Sequence, residues 1–130
     1  VGYLVCEPGL AAAIRSVSTP FGVNLPAQAA AAAALGEAEL ARTAERSATV
    51  AAERDRVVDA LRAQGWEVPD AQGNFFWLGV GDETAALAEH FRTAGILVRP
   101  FVGEGVRVSI GTTSDNERVL AAAAAWSAEH

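Results

Sequence analysis

The chain has 130 residues, 51% of them hydrophobic, with 16 acidic and 10 basic side chains, a net charge of −6, 29 alanines and no methionine. That length suits one core, and a charged fraction of 20% with so much apolar content excludes a disordered, collagen-like or disulfide-scaffold chain. All ten basic residues are arginine, so no lysine chemistry is available within the chain, and with no basic stripe an acidic protein is a poor partner for nucleic acid.

The unbroken apolar runs, such as residues 29–35, are far short of the roughly 20 residues that span a bilayer, so no membrane span is expected. The single cysteine, Cys6, flanked by Leu4 and Val5, reads as a small buried hydrophobe and fits a reducing, cytoplasmic compartment. The sequence opens without methionine on Val1-Gly2-Tyr3-Leu4-Val5, which predicts a strand already under way and a chain cut from something longer.

Glu7-Pro8-Gly9 then starts a helix that runs to about Val17. Residues 18–26, bracketed by Pro20 and Pro26, lack a period and read as a loop holding two apolar residues without a local home. Residues 27–35 predict an alanine helix whose small side chains favour burial between neighbours. From Glu37 to about Gln64 the apolar stripe Leu40, Ala44, Ala48, Ala51, Val57, Val58 and Leu61 predicts one long helix of about 40 Å at 1.5 Å per residue, suited to connecting two domains. Gly65 ends it, and residues 66–68 predict a short strand before a Pro69-Asp70 turn.

The second half predicts a strand over residues 74–80, a helix over 83–93 capped at Gly81-Asp82 and closed by Gly95, and a strand over 96–102. A hairpin turn at Gly103-Glu104-Gly105 leads to a strand over 106–110, and Ser114 with Glu117 reads as a capping box for a terminal helix. This order defines an open α+β layer.

Alternation on the last strand puts Val106, Val108 and Ile110 on one face and Arg107 with Ser109 on the other. Arg107 is therefore either a solvent-facing residue, paired with Glu104 or with nothing, or a guanidinium placed to fork a carboxylate. Arg99, before Pro100, reads as structural. His90 reads as a surface residue near a helix C-terminus and His130 as an added or disordered terminal residue, and neither has a metal partner at ligand spacing. No nucleophile–base motif, P-loop or dinucleotide fingerprint occurs. Phe75, Phe76 and Trp77 occupy both faces of their strand, with core packing as the default.

Four segments taken together resemble the C-terminal part of the fold type I pyridoxal-phosphate aminotransferases, in the aromatic and histidinol-phosphate aminotransferase branch. They are Val1-Gly2-Tyr3; Pro20-Phe21-Gly22-Val23-Asn24 followed by Ala27-Gln28; Gln72-Gly73-Asn74-Phe75; and Gly95-Ile96-Leu97-Val98-Arg99-Pro100 with Gly105-Val106-Arg107-Val108-Ser109-Ile110-Gly111. The similarity covers essentially the whole chain and looks closest to actinobacterial proteins of phenylalanine or aromatic amino acid transamination.

The resemblance implies a small α+β domain, an antiparallel-rich sheet with helices on one face, preceded by a long interdomain helix. Residues 1–36 would end the large cofactor domain and form an interdomain and dimer loop, 37–65 the connecting helix, and 66–130 the small domain. It further implies that Arg107 holds the substrate α-carboxylate. Phe21 and Asn24 would reach the neighbouring subunit's site in a homodimer, Asn74 and Phe75 would line the substrate pocket, and Tyr3 would lie near the cofactor. The reaction implied is amino transfer between an aromatic amino acid and a 2-oxo acid with pyridoxal 5'-phosphate. Dicarboxylate-specific relatives carry an arginine in the loop where this chain has Thr19-Pro20-Phe21, which favours an apolar side-chain pocket.

The family's Schiff-base lysine lies upstream of the stretch on which this chain opens, so the chain alone is expected to be inactive and to depend on the large cofactor domain. Histidinol-phosphate transamination is the alternative within the class. A stand-alone amino-acid-binding or interaction module is the alternative outside it.

Overall fold

A computed structural model describes residues 1–129; His130 lies outside the described residues. The chain divides into two units, Val1–Glu45 and Arg46–His130.

In the first unit, helix α1 (Pro8–Val17) starts where Glu7 accepts the Gly9 and Leu10 N–H groups at 2.7 and 3.1 Å, bonds that also hold its carboxyl below the usual range. Helix α2 (Leu25–Ala34) is capped by Asn24, whose Oδ1 accepts the Ala27 N–H at 2.9 Å. Neither helix buries a side chain among the described residues, contrary to the burial expected of the alanine helix. The predicted opening strand is also absent: residues 1–5 are exposed, because a strand exists only as a rung of a ladder and none of the described residues pairs with them. Cys6 is half-buried and outside the core, so it is not the buried hydrophobe expected.

Helix α3 (Glu37–Ala63) has the predicted length. Of its apolar stripe only Val57, Val58 and Leu61 are buried, while Leu40 is exposed. Gly65 closes it at φ 95°, with the Trp66 N–H returning to the Leu61 carbonyl at 3.1 Å. No strand follows at residues 66–68. The Val68 carbonyl is taken instead by the Arg62 guanidinium, at 2.8 Å from Nη2, and the same guanidinium pairs with Asp70.

Three strands, β1 (Phe75–Gly79), β2 (Arg99–Phe101) and β3 (Gly105–Ser109), form an antiparallel sheet in the order β1-β3-β2. One face is covered. Phe76, Leu78, Val106 and Val108 meet Val57, Val58 and Leu61 of α3, Leu87 and Phe91 of α4 (Thr84–Thr93), and Val119, Leu120, Ala123 and Trp126 of α5 (Thr113–Glu129) in one core. This is the α+β layer expected, with helices on one face. Asp82 does not cap α4. A 3-10 turn over Gly81–Glu83 leads into it, with Gly81 at φ 53° and the Thr84 hydroxyl donating to the Gly81 carbonyl at 2.6 Å.

The cap of α5 sits two residues earlier than Ser114. Thr112 Oγ1 accepts the Asp115 N–H at 3.2 Å and Asp115 Oδ2 accepts the Thr112 N–H at 3.4 Å, a reciprocal box that leaves Glu117 to pair with Arg56 at 2.8 Å. Inside this turn the fully buried Asn116 bonds Gly111 twice, accepting its N–H at 3.0 Å and donating to its carbonyl at 3.2 Å, and donates to Glu53 Oε1 on α3 at 3.0 Å. Arg56 and then Asn116 pull the Glu53 carboxyl down to about 2. Being depressed below its unfolded value, it stabilises the fold above pH 4.5, and that contribution is lost as pH falls through about 2. Thermal unfolding midpoints should therefore drop across this window, and Glu53→Gln should shallow the slope; an identical slope in the variant would contradict the assignment.

Gly105 is glycine because of a close approach: a Cβ there would strike the Leu78 carbonyl oxygen and lie 2.8 Å from the Trp77 ring. Gly105→Ala should lower stability by about 1–3 kcal/mol, the range of an overpacked site, readable as a lower denaturant midpoint at constant slope.

Candidate functional site

The second face of the sheet is not covered by the core. Register pairing puts Trp77 of β1 and Arg99 of β2 on either side of Arg107 of β3, and residues directly opposite one another share a face. Phe75, Phe101 and Ser109 alternate onto the same face. The result is a small platform of three aromatic rings and two guanidinium groups.

Its electrostatics are unusual. The Arg107 guanidinium carbon lies 5.1 Å from the Phe75 ring centroid, and that of Arg99 lies 5.3 Å from the Phe101 ring, which itself meets Trp77 edge-on at 5.5 Å. Among the described residues neither arginine makes an ion pair or hydrogen bond, although six other ion pairs form. Glu104, the sequence-level candidate partner, makes no ion pair with Arg107. Two cations on adjacent strands repel. Stacked on rings and free of carboxylates, their N–H forks remain available to an anion brought from outside.

Asn74 and Phe75 are neighbours in sequence with different surroundings. The Asn74 backbone carbonyl accepts the Ile110 N–H at 2.9 Å, and the residue lines a cleft of about 540 Å³ against α3 with Arg46, Arg54, Gln72 and Gly73. Phe75 supports Arg107. Tyr3, Phe21 and Asn24 belong to the first unit. There Tyr3 is 94% exposed, Phe21 is wholly exposed at φ 57°, a conformation rare for a bulky side chain, and Asn24 serves as a helix cap.

Arg99, Trp77 and Phe101 are the members of the platform that sequence reasoning missed. Their signal lay in the hairpin. Pairing about Gly103 sets position 99 against 107 and 101 against 105, so a turn centre and the alternation of β3 suffice to place Arg99 beside Arg107. His90 is not the surface residue expected, because Nε2 lies 2.9 Å from the Ala122 carbonyl and its ring packs edge-on to Trp126. Among the described residues no cluster of side chains could hold a metal ion, and no helix is long and apolar enough to cross a membrane.

The chain is thus a small antiparallel α+β layer with one sheet face of rings and arginines left uncovered by the core, and similarity to known proteins gives its family. Residues 1–123 match the family "Aminotransferase class I and II", and the chain belongs to that family. It is 48% identical over 92% of its length to an aromatic amino acid aminotransferase of Streptomyces coelicolor, and 49% identical over 95% of its length to one of Thermobifida fusca. A crystal structure assigned as an aminotransferase from Burkholderia pseudomallei superposes with a TM-score of 0.76 at 32% identity, over 92% of this chain and 37% of that one. The chain spans about a third of the length of the curated relatives, 33% and 34% respectively.

Proposed function

We propose that this chain is the C-terminal part of an aromatic amino acid aminotransferase, in which Arg107 holds the α-carboxylate of the amino acid and of the 2-oxo acid. The observation that carries this reading is a guanidinium fixed over Phe75, on the free face of a packed sheet, with no acidic partner. A carboxylate is the group common to both substrates of a transamination, and a planar fork binds it through two parallel N–H bonds. The aromatic character of the platform and the names of the relatives support an aromatic side chain beside that carboxylate.

In this reading residues 66–130 form the small domain and 37–65 the connecting helix, whose second half contributes Val57, Val58 and Leu61 to the small-domain core. Residues 1–36 belong to the end of the large domain and its loop, and the wholly exposed Phe21 is offered to a second subunit. Class I and II aminotransferases use pyridoxal phosphate. The residues present here do not fit that group by themselves: the chain has no lysine to condense with its aldehyde, and Tyr3 offers one exposed hydroxyl without a second contact. The cofactor thus belongs to the larger part of the parent protein, and the isolated chain does not transaminate.

One observation favours a second reading, histidinol-phosphate transamination. Arg99 beside Arg107 gives the face a second free cation able to meet a phosphate. Competition between phenylalanine and histidinol phosphate on the full-length parent separates the two readings. The proposal expects the higher kcat/KM for phenylalanine, and a strong preference for histidinol phosphate would overturn it.

Arg107→Lys in the same protein replaces a fork by a point charge and should lower kcat/KM roughly 100-fold, mostly through KM. An unchanged kcat/KM would refute the carboxylate role.

A further inference from the structure

Arg107 has no carboxylate to hold its side chain, so its place is set by the backbone of β3 and by the Phe75 ring. The backbone of β3 is in turn gripped just beyond its C-terminal end. Asn116, 1% exposed, spends its whole amide there: Oδ1 accepts from the Gly111 N–H at 3.0 Å, and Nδ2 donates to the Gly111 carbonyl at 3.2 Å and to Glu53 Oε1 at 3.0 Å. One side chain thus ties the exit of the central strand to both α5 and α3. Only a group that accepts and donates at once fits these partners, because Gly111 presents one of each and Glu53 is an ionised acceptor held by Arg56 at 2.7 Å.

On this geometry we propose that Asn116, anchored by Glu53, is a positioning residue for substrate binding, acting through Gly111 and β3 to hold Arg107 where it meets the carboxylate. The inference rests on the reading of Arg107 given above. Backbone ladders to β1 and β2 fix which residues pair, but β3 is only five residues long, and its last rung beyond the sheet is the Ile110 N–H to the Asn74 carbonyl. Release of Gly111 frees that end to shift, and a guanidinium that rides on the strand shifts with it. Arg107 contacts the carboxylate before and during reaction alike, so its misplacement weakens binding of substrate and transition state together and appears in KM.

The test uses the full-length parent protein. Asn116→Asp keeps the shape but sets a carboxylate against the Glu53 carboxylate and the Gly111 carbonyl. Expected is a KM for phenylalanine raised about tenfold with kcat changed less than about twofold. Adding Glu53→Gln to Asn116→Asp exchanges donor and acceptor on the α3 side, since the amide introduced on α3 now donates to the carboxylate introduced on α5; the Gly111 carbonyl still lacks its donor, so the variant should reverse part of the rise in KM. A general loss of packing would lower kcat as well and would not respond to that exchange. If Asn116→Asp does not fold, Glu53→Ala removes the anchor alone and should raise KM about threefold, a smaller share of the same bond energy. A folded Asn116→Asp enzyme with unchanged KM, or a defect that Glu53→Gln leaves untouched, overturns the proposal, as does an unchanged KM in Glu53→Ala where that variant is the one that folds. Arg107→Lys run alongside distinguishes the failures: if it too leaves KM unchanged, the carboxylate reading itself is wrong.

Discussion

The two faces of β3 carry opposite demands, and the rest of the second unit follows from that. Val106 and Val108 are buried at 0% and 2% exposure and must meet an apolar layer, while Arg107 between them must stay out of it. A one-residue slip in the pairing of β3 would drive a guanidinium into the core and two valines into water, a cost of several kcal/mol. Helices α3, α4 and α5 therefore gather on the valine side, and the aromatic and arginine side is left free. The close approach at Gly105 serves the same end by letting the Trp77 ring lie across the strand.

That free face is stabilised modestly and oriented well. Exposed cation–π contacts contribute only about 0.5–1 kcal/mol each, enough to offset the repulsion of two neighbouring cations but not to satisfy their N–H groups. Five arginines elsewhere pair with acids among the described residues, as in Arg56 with Glu53 and Glu117 or Arg62 with Asp70. What sets Arg99 and Arg107 apart is their place: two cations without an acidic partner lie side by side on a sheet face built of rings. It is on this surface that the proposed carboxylate of an aromatic substrate would sit.

Much of the fold was legible wherever the signal was local. The length of α3, the left-handed Gly65 and Gly95, the hairpin at Gly103 and the two faces of β3 are all consequences of period, glycine or alternation. What failed was non-local. Residues 1–5 and 66–68 have the composition of strands but no strand among the described residues pairs with them, and Arg62 captures the Val68 carbonyl that a ladder would have used. The run Thr112-Thr113-Ser114-Asp115-Asn116-Glu117 offers several capping boxes in different registers, and only the buried grip of Asn116 on Gly111 selects the one at Thr112. Of the site, Arg107 was readable from its strand, whereas Arg99, Trp77 and Phe101 required the sheet order. Asn74 and Phe75, adjacent in sequence, have separate surroundings because the pleat alternates their side chains, one lining the cleft against α3 and the other lying under Arg107.

The most direct test of the central claim is a crystal structure of the full-length parent protein with 3-phenylpropionate, which carries the carboxylate and ring of the proposed substrate without its amino group. The account predicts both carboxylate oxygens within hydrogen-bond distance of the Arg107 guanidinium, with that guanidinium still over Phe75. A carboxylate held by other groups, with Arg107 turned away from it, would contradict the account.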